Sequence, residues 1–566
     1  MRVLQVSAEI YPLLKTGGLA DVAGALPAAL ARVGCEVRVL LPGFPAITSQ
    51  LTDAVDVAEF TAPWGERARL RFGRFAALGG QAGYVIDAPA LYDRPGNPYH
   101  DGAGQAYADN HRRFALLGLA AARLAQGLDA LWAPRIVHSH DWHAALTNAY
   151  LALGAAPGAR TVYTVHNLAY QGLFDARVLA EIGLPARAFA VTGVEFHGAL
   201  SFMKAGLYYA DRITTVSPTY AREIQTVEQG CGLDGLLRDR RSVLSGILNG
   251  VDETVWNPAT DALLPSRYDA QRIAGKARCK AALQSELGLA VDNTQPLFGI
   301  VSRLVEQKGL PLLLAVLPDI VARGGQLVML GSGDAALEAA FTDAARAHPL
   351  QVAVRIGYDE AFAHRVFGAT DLTLVPSRYE PCGLTQLYGL RYGSLPLVRR
   401  VGGLADTVVD CSIEELADER RVEQVHRPGD VAGDRIERLL VAAEPGRRPG
   451  VDHHLVGDAG VFVGLVAGCD ALDEILVLHL AGEVGDDRGR EGIPVGHALA
   501  ALHLVAVVHL DHRTIDDAVR CALLALFVDD HDGEVSAHRD QLLVAVANDR
   551  AVLDLDSAVE GRFDER

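Results

Sequence analysis

The sequence predicts an α/β chain built from two doubly wound parallel sheets, and three observations carry that expectation. Strand-like and helix-like runs alternate over residues 1–250, as they do where each parallel strand is followed by a crossover helix. The alternation pauses at the turn signal Leu248-Asn249-Gly250-Val251-Asp252. A second alternating series follows and runs to a change of composition near Asp418.

In the first series, Arg2-Val3-Leu4-Gln5-Val6-Ser7 reads as a buried strand. The segment from Leu19 to Val33 reads as a helix, with Ala20, Ala23, Leu26, Leu30 and Val33 on one face. Further strands are expected at Glu36–Leu41, Gln81–Asp87, Arg135–His140, Arg160–Val165 and Asp211–Ser217. A helix is expected from Asp109 to Leu128, with Phe114, Leu117, Ala121 and Leu124 at helical spacing. In the second series the strands are Leu297–Val301, Gln326–Leu330, Val352–Ile356, Leu372–Val375 and Leu395–Val398. Two Rossmann-like sheets of this kind are expected to face a cleft, with ligands at the carboxyl ends of both sets of strands.

Composition narrows the function. The 566 residues suffice for two or three domains, and half of them are hydrophobic, which excludes disorder throughout. A net charge of −18 argues against a nucleic-acid partner. Seven cysteines with no CxxC pair fit a reducing compartment. No signal peptide is expected, since Glu9 breaks the N-terminal apolar run, and no stretch of the sequence is long and apolar enough to suggest a membrane-spanning helix. A cytoplasmic location follows as the expectation.

The residues suited to chemistry cluster after strands. Lys15-Thr16-Gly17-Gly18 follows the first strand, where glycines let backbone amides approach an anion and a helix N-terminus adds positive potential. Arg303 and Lys308 of Ser302-Arg303-Leu304-Val305-Glu306-Gln307-Lys308-Gly309 suit a diphosphate, Arg as a fork and Lys as a point charge; two solvated surface cations are the bland alternative. In Pro376-Ser377-Arg378-Tyr379-Glu380-Pro381-Cys382-Gly383-Leu384-Thr385, Glu380 is a loop carboxylate and Gly383 could open a helix whose amides face the same diphosphate. Gly331-Ser332-Gly333 is a short nest of amides with no Walker lysine. His138-Ser139-His140-Asp141-Trp142-His143 has the look of a metal site, but alternate strand residues point to opposite faces and Asp141 makes a good helix cap, so no metal is expected. His166-Asn167 is a second polar pair at a strand end. Asp554-Leu555-Asp556, a DxD string, lies outside the sheets and is discounted.

Several of these strings together resemble the bacterial glycogen synthase family, the ADP-glucose-dependent transferases related to plant starch synthase. They are KTGGLADV, HSHDWHAAL, TVHNLAYQG, SRLVEQKG and PSRYEPCGLTQLYGLRYGSLPLVRRVGGLADTV, and the resemblance runs from residue 1 to about Asp418. It implies a GT-B fold and a retaining transfer of glucose from ADP-glucose to the non-reducing end of an α-1,4-glucan such as glycogen, with no metal and no cofactor. It further implies roles by motif. Lys15, Gly17 and Gly18 would meet the nucleotide-sugar phosphates, and Arg303 and Lys308 would neutralise the departing diphosphate. Glu380 would hold the transferred glucose, with Cys382, Gly383, Leu384 and Thr385 lining the same pocket. His166 and Asp141 would contact the sugar, and Tyr358 would stack on adenine. Retention could arise from same-face attack or from a covalent intermediate. A related starch synthase or UDP-sugar transferase, and an inactive glucan-binding remnant, are the alternatives; a glucan phosphorylase would need a pyridoxal-phosphate lysine that nothing marks.

The expected organisation is therefore 1–250, a catalytic domain on the glucan side; 251–418, an incomplete nucleotide-sugar domain; and 419–566, an aberrant tail. From Glu419 onward there are 15 Arg and no Lys against 29 Asp and Glu, 10 of the 19 His, and none of the Tyr, Trp or Met. That tail replaces the strand and helices the family carries there, so it reads as the product of a reading-frame change and as poorly ordered; a genuine acidic appended domain is the alternative. The second sheet is then expected to lose covering helices and expose apolar faces, leaving the chain weakly folded or weakly active.

Overall fold

The computed structural model describes residues 1–154 and 159–408 together with three strands of the tail. It falls into two compact units, Met1–Gly250 and Val251–Arg566.

The first unit is organised by strands β1 (Arg2–Val6), β2 (Glu36–Pro42), β3 (Leu51–Thr61), β4 (Arg67–Phe75), β5 (Gln81–Asp87), β6 (Ile136–His140) and β7 (Arg160–Val165). A small sheet follows, of β8 (Leu173–Asp175), β9 (Glu195–Phe196) and β10 (Ala199–Ser201), and then β11 (Arg212–Thr215) and β12 (Leu244–Gly246). The main sheet has nine strands in the order β12-β11-β7-β6-β1-β2-β5-β4-β3. The helix Asn110–Ala125 lies on it with Phe114, Leu117, Ala121 and Leu124 fully buried, as their spacing predicts.

Two differences from the sequence reading are informative. The sheet is not wholly parallel: β4 runs antiparallel to β3 and β5. Arg69 of β4 pairs across the strands with Glu59 at 3.2 Å and Asp56 at 3.3 Å. Those alternating charges suit an edge half exposed to water, which periodicity tuned to fully buried strands does not detect. The first helix, Gly18–Arg32, buries Leu19, Ala20, Ala23 and Pro27, while Val33 is 75% exposed. Val33 lies one residue past the helix, where the chain turns through Gly34 at φ +85° toward β2, so it belongs to no helical face.

The second unit carries β13 (Leu297–Val301), β14 (Gln326–Gly331), β15 (Val352–Ile356), β16 (Leu372–Val375) and β17 (Leu395–Val398), in the order β15-β14-β13-β16-β17 and all parallel. Leu327 and Met329 of β14 pack with Leu313, Val316, Ile320 and Phe341, while Val328 and Leu330 pack with Leu283, Phe362, Val366 and Tyr388. Alternate side chains thus serve opposite faces. The described helices cover both faces, which corrects the expectation that this sheet exposes apolar surface: the covering elements lie before the change of composition, between Ala274 and Arg391. The tail strands β18 (Phe462–Leu465), β19 (Ile475–Ala481) and β20 (Leu504–His509) form an antiparallel sheet. Apart from them, the expectations of a frame change and of poor order fall outside the described residues.

In each sheet the strand order reverses beside one strand. β1 is flanked by β2 and β6, and β13 by β14 and β16. Crossovers leave in opposite directions there, and a crevice opens at the carboxyl ends. At the second of these points Gly309 has φ +64°, and a Cβ on it would come within 2.0 Å of the Pro376 carbonyl oxygen. Gly309→Ala is therefore expected to lower stability by at least ~1–2 kcal/mol. Urea unfolding read by far-UV circular dichroism measures it; an unchanged midpoint would show that the two loops do not touch.

Candidate active site

In the first unit, the loop after β1 is organised around Glu9. Its carboxylate is 2% exposed and accepts the Thr16 backbone N–H at 2.5 Å, the Thr16 hydroxyl at 2.6 Å and the Tyr99 hydroxyl. Burial raises its pKa above the usual carboxylate range, against the pull of those donors. Lys15, next in the loop, pairs with Asp21 at 2.9 Å and lies 5.1 Å from the Tyr11 ring centroid. A Cβ on Gly17 would meet nothing within 4 Å. Its φ of −166° is extended backbone that any residue adopts, so neither packing nor conformation asks for glycine there. The small residue keeps space open beside the loop amides.

Polar residues at the carboxyl ends of β6 and β7 meet next to this loop's strand. His140 Nδ1 lies 3.0 Å from His166 Nε2, and His138 Nε2 lies 2.6 Å from the Thr164 hydroxyl. His143 stacks on Tyr99 at 4.7 Å, and Tyr99 reaches Glu9. Desolvation holds these imidazoles neutral, lowering His138 to about 4, His143 and His166 to about 3, and His140 well below its ordinary value.

Asp141 corrects one expectation. It does not cap its own helix, which spans Asp141–Ala144. Its backbone takes the left-handed φ of +54°, and its Oδ1 accepts the amides of His166 at 2.7 Å and Asn167 at 3.3 Å. The carboxyl therefore ties the end of β6 to the end of β7, joining Asp141 and His166 in one cluster. Burial raises it to about 7 despite the two amides. Among the described residues no group of three or more His, Cys, Asp or Glu is arranged to hold a metal ion.

In the second unit, the loops after β13, β14 and β16 come together. Leu304 N–H donates to Ser332 O at 2.9 Å, and Asp334 N–H to Leu304 O at 2.7 Å. A Cβ on Gly331 would fall 2.0 Å from Ser302 O, so this glycine is set by close packing of two loops. Lys308 Nζ pairs with Glu380 Oε2 at 2.5 Å, and Ser377 Oγ donates to the same oxygen at 2.8 Å. Glu380 is 6% exposed, so it is not the solvated loop carboxylate of the bland reading. Arg303 is exposed on the same loop as Lys308. Cys382 is buried, Gly383 takes φ +71°, and Leu384 precedes the helix Thr385–Arg391. Tyr358 stands 67% exposed after β15, its hydroxyl donating to Glu360.

Each unit thus gathers its own share of the sequence-selected residues: Lys15, Gly17, Gly18, Asp141 and His166 in the first, Arg303, Lys308, Glu380 and Cys382–Thr385 in the second. Sequence reasoning missed Glu9, Tyr99, Asp21 and Ser377. Glu9 did leave a signal, as a lone acid interrupting an apolar run.

Comparisons with known proteins were made on this basis. The family profile described as "Starch synthase catalytic domain" matches residues 2–239, and "Glycosyl transferases group 1" matches residues 288–427. The chain is 64% identical over 427 residues to a glycogen synthase of Variovorax paradoxus, covering 74% of this chain and 86% of that protein. It is 62% identical over 424 residues to a glycogen synthase of Leptothrix cholodnii, covering 74% and 87%. Among solved structures, the catalytic domain of starch synthase IV from Arabidopsis thaliana, bound to ADP and acarbose, is similar with a TM-score of 0.66 and 33% identity, covering 73% of this chain and 85% of that one.

Asp141 yields a pH prediction. An unfolded Asp ionises near 3.8, whereas the folded one keeps its proton to about 7. This group's contribution is fully present below about pH 4 and is lost as pH rises to about 7, on the order of a few kcal/mol. Asp141→Asn keeps an oxygen for the two amides but cannot ionise, so it should gain stability relative to the unaltered chain across that window. Unfolding midpoints at pH 5 and pH 8 measure it; an equal gap at both would disprove the shift.

Proposed function

The chain belongs to the glycogen synthase family, and on that premise we propose that it transfers glucose from ADP-glucose to the non-reducing end of an α-1,4-glucan with retention of configuration. It is a glycosyltransferase of the GT-B fold, and none of its described helices is long and apolar enough to cross a membrane. A cytoplasmic site of action accords with a soluble donor and acceptor.

The observation that carries the reading is the Lys308–Glu380 pair at the order reversal of the second sheet. Breaking the bond from the sugar to ADP leaves negative charge on the diphosphate and positive charge on the ring. Arg303 and Lys308 supply cations for the first, and Glu380 supplies a carboxylate for the second. Because Lys308 and Glu380 hold each other in the free protein, neither must be dragged from water when the donor binds. Cys382, Gly383, Leu384 and Thr385 line the glucose side, and the exposed Tyr358 ring takes the adenine. In the first unit, Lys15 with Gly17 and Gly18 meets phosphate oxygens, and Asp141 and His166 hold sugar hydroxyls. The half-ionised Asp141 and the neutral His166 suit hydroxyl recognition, since both can accept hydrogen bonds near neutral pH.

The test is ADP release from ADP-glucose by the full chain, with and without glycogen. Release is expected to depend on glycogen, and Glu380→Ala is expected to reduce it ~10²–10³-fold. UDP-glucose in competition reports donor choice and should compete weakly. Co-sedimentation with glycogen without ADP release would identify a binding remnant instead.

A further inference from the structure

We propose that Gln386 is a positioning residue for the donor-glucose pocket, a role that rests on the reading of Glu380 and Cys382–Thr385 given above. Gln386 is fully buried one residue into the helix Thr385–Arg391. Its Nε2 lies 2.9 Å from the Cys382 carbonyl oxygen, 2.8 Å from that of Gly383 and 2.9 Å from the Thr407 hydroxyl. From the other side, the backbone N–H of Gly403 donates to the carbonyls of Glu380 at 3.0 Å and Pro381 at 3.2 Å. Four consecutive carbonyls, of residues 380 to 383, are thereby turned toward internal donors.

The geometry leaves little freedom. A Cβ on Gly383 would fall 2.2 Å from Gln386 Oε1, and one on Gly403 would fall 2.3 Å from Cys382 Cα. The Gln386 amide is tucked under Gly383, and the helix Gly402–Thr407 presses on Cys382. The two amide hydrogens of Gln386 are shared among the two carbonyls and the Thr407 hydroxyl, which itself donates to the Gly403 carbonyl at 2.6 Å. Gln386 touches none of the reacting groups. It acts by fixing the loop from which Glu380 meets Lys308, and Thr407 carries that hold to the next helix.

The test compares Gln386→Glu, Gln386→Leu and Thr407→Val with the unaltered full chain, in ADP release with saturating glycogen. Gln386→Glu keeps the shape but as a carboxylate repels both carbonyls; protonated, it regains one donor. Its kcat/KM for ADP-glucose should fall ~10-fold or more, with the KM for glycogen unchanged. The deficit relative to the unaltered chain should shrink as pH is lowered, whereas that of Gln386→Leu should not. Thr407→Val, which removes the contact to Gln386 together with the hydroxyl's own bond to the Gly403 carbonyl at 2.6 Å, should raise the KM for ADP-glucose by a few-fold. It keeps the question answerable where a Gln386 variant does not fold by circular dichroism. Equal loss in all parameters, or an unchanged donor KM in Thr407→Val, would overturn the proposal. Absence of ADP release by the unaltered chain would instead overturn the catalytic reading beneath it.

Discussion

Burial of the central strands on both faces is the constraint from which the rest follows. Every residue of β14 is buried, and alternate side chains serve separate apolar clusters. A strand so enclosed cannot carry polar chemistry along its length without stranding desolvated groups. Polar residues are left the carboxyl ends, where the loops turn back to helices. The reversal of strand order beside β1 and β13 then decides which ends share a crevice. The candidate residues of both units occupy those loops.

Charge is handled there by pairing rather than by exposure. Lys15 is held by Asp21 and Lys308 by Glu380. A partly buried ammonium without a partner would be costly, and a carboxylate from the following helix or a neighbouring loop holds it in place. Such pairs are weak evidence of stability, but they suit the proposed role of meeting a diphosphate with little reorganisation. The histidine cluster follows a different rule. Burial dominates there, so its imidazoles stay neutral, and Asp141, raised by burial against the pull of two amides, titrates near neutrality.

Close packing of backbone explains which glycines matter. Gly309, Gly331, Gly383 and Gly403 each lie where a Cβ would collide with a neighbouring loop or side chain, whereas Gly17 faces open space. The loops of the second unit are consequently stacked on one another as a single layer. That layer keeps Glu380 buried although it sits in a loop between a tyrosine and a proline.

The sequence by itself determined the central strands of the first sheet, all five of the second and the loops that hold the candidate residues, because fully buried strands write continuous apolar runs and their ends write glycine with charge. Gln81–Asp87, Arg160–Val165, Leu297–Val301, Val352–Ile356, Leu372–Val375 and Leu395–Val398 were legible to the residue. The antiparallel β3–β4 edge was not, since a half-wet strand alternates with charges that also suit a loop. Only the tertiary structure decided partnership. Lys308 and Glu380 are 72 residues apart, and Tyr99 and Glu9 are 90 apart. Asp141 bonds the amides of a different strand end rather than its own helix. Hydrogen bonds and ion pairs depend on distances of a few ångströms, and periodicity, which reports only which face a residue shows, carries no such distance between segments.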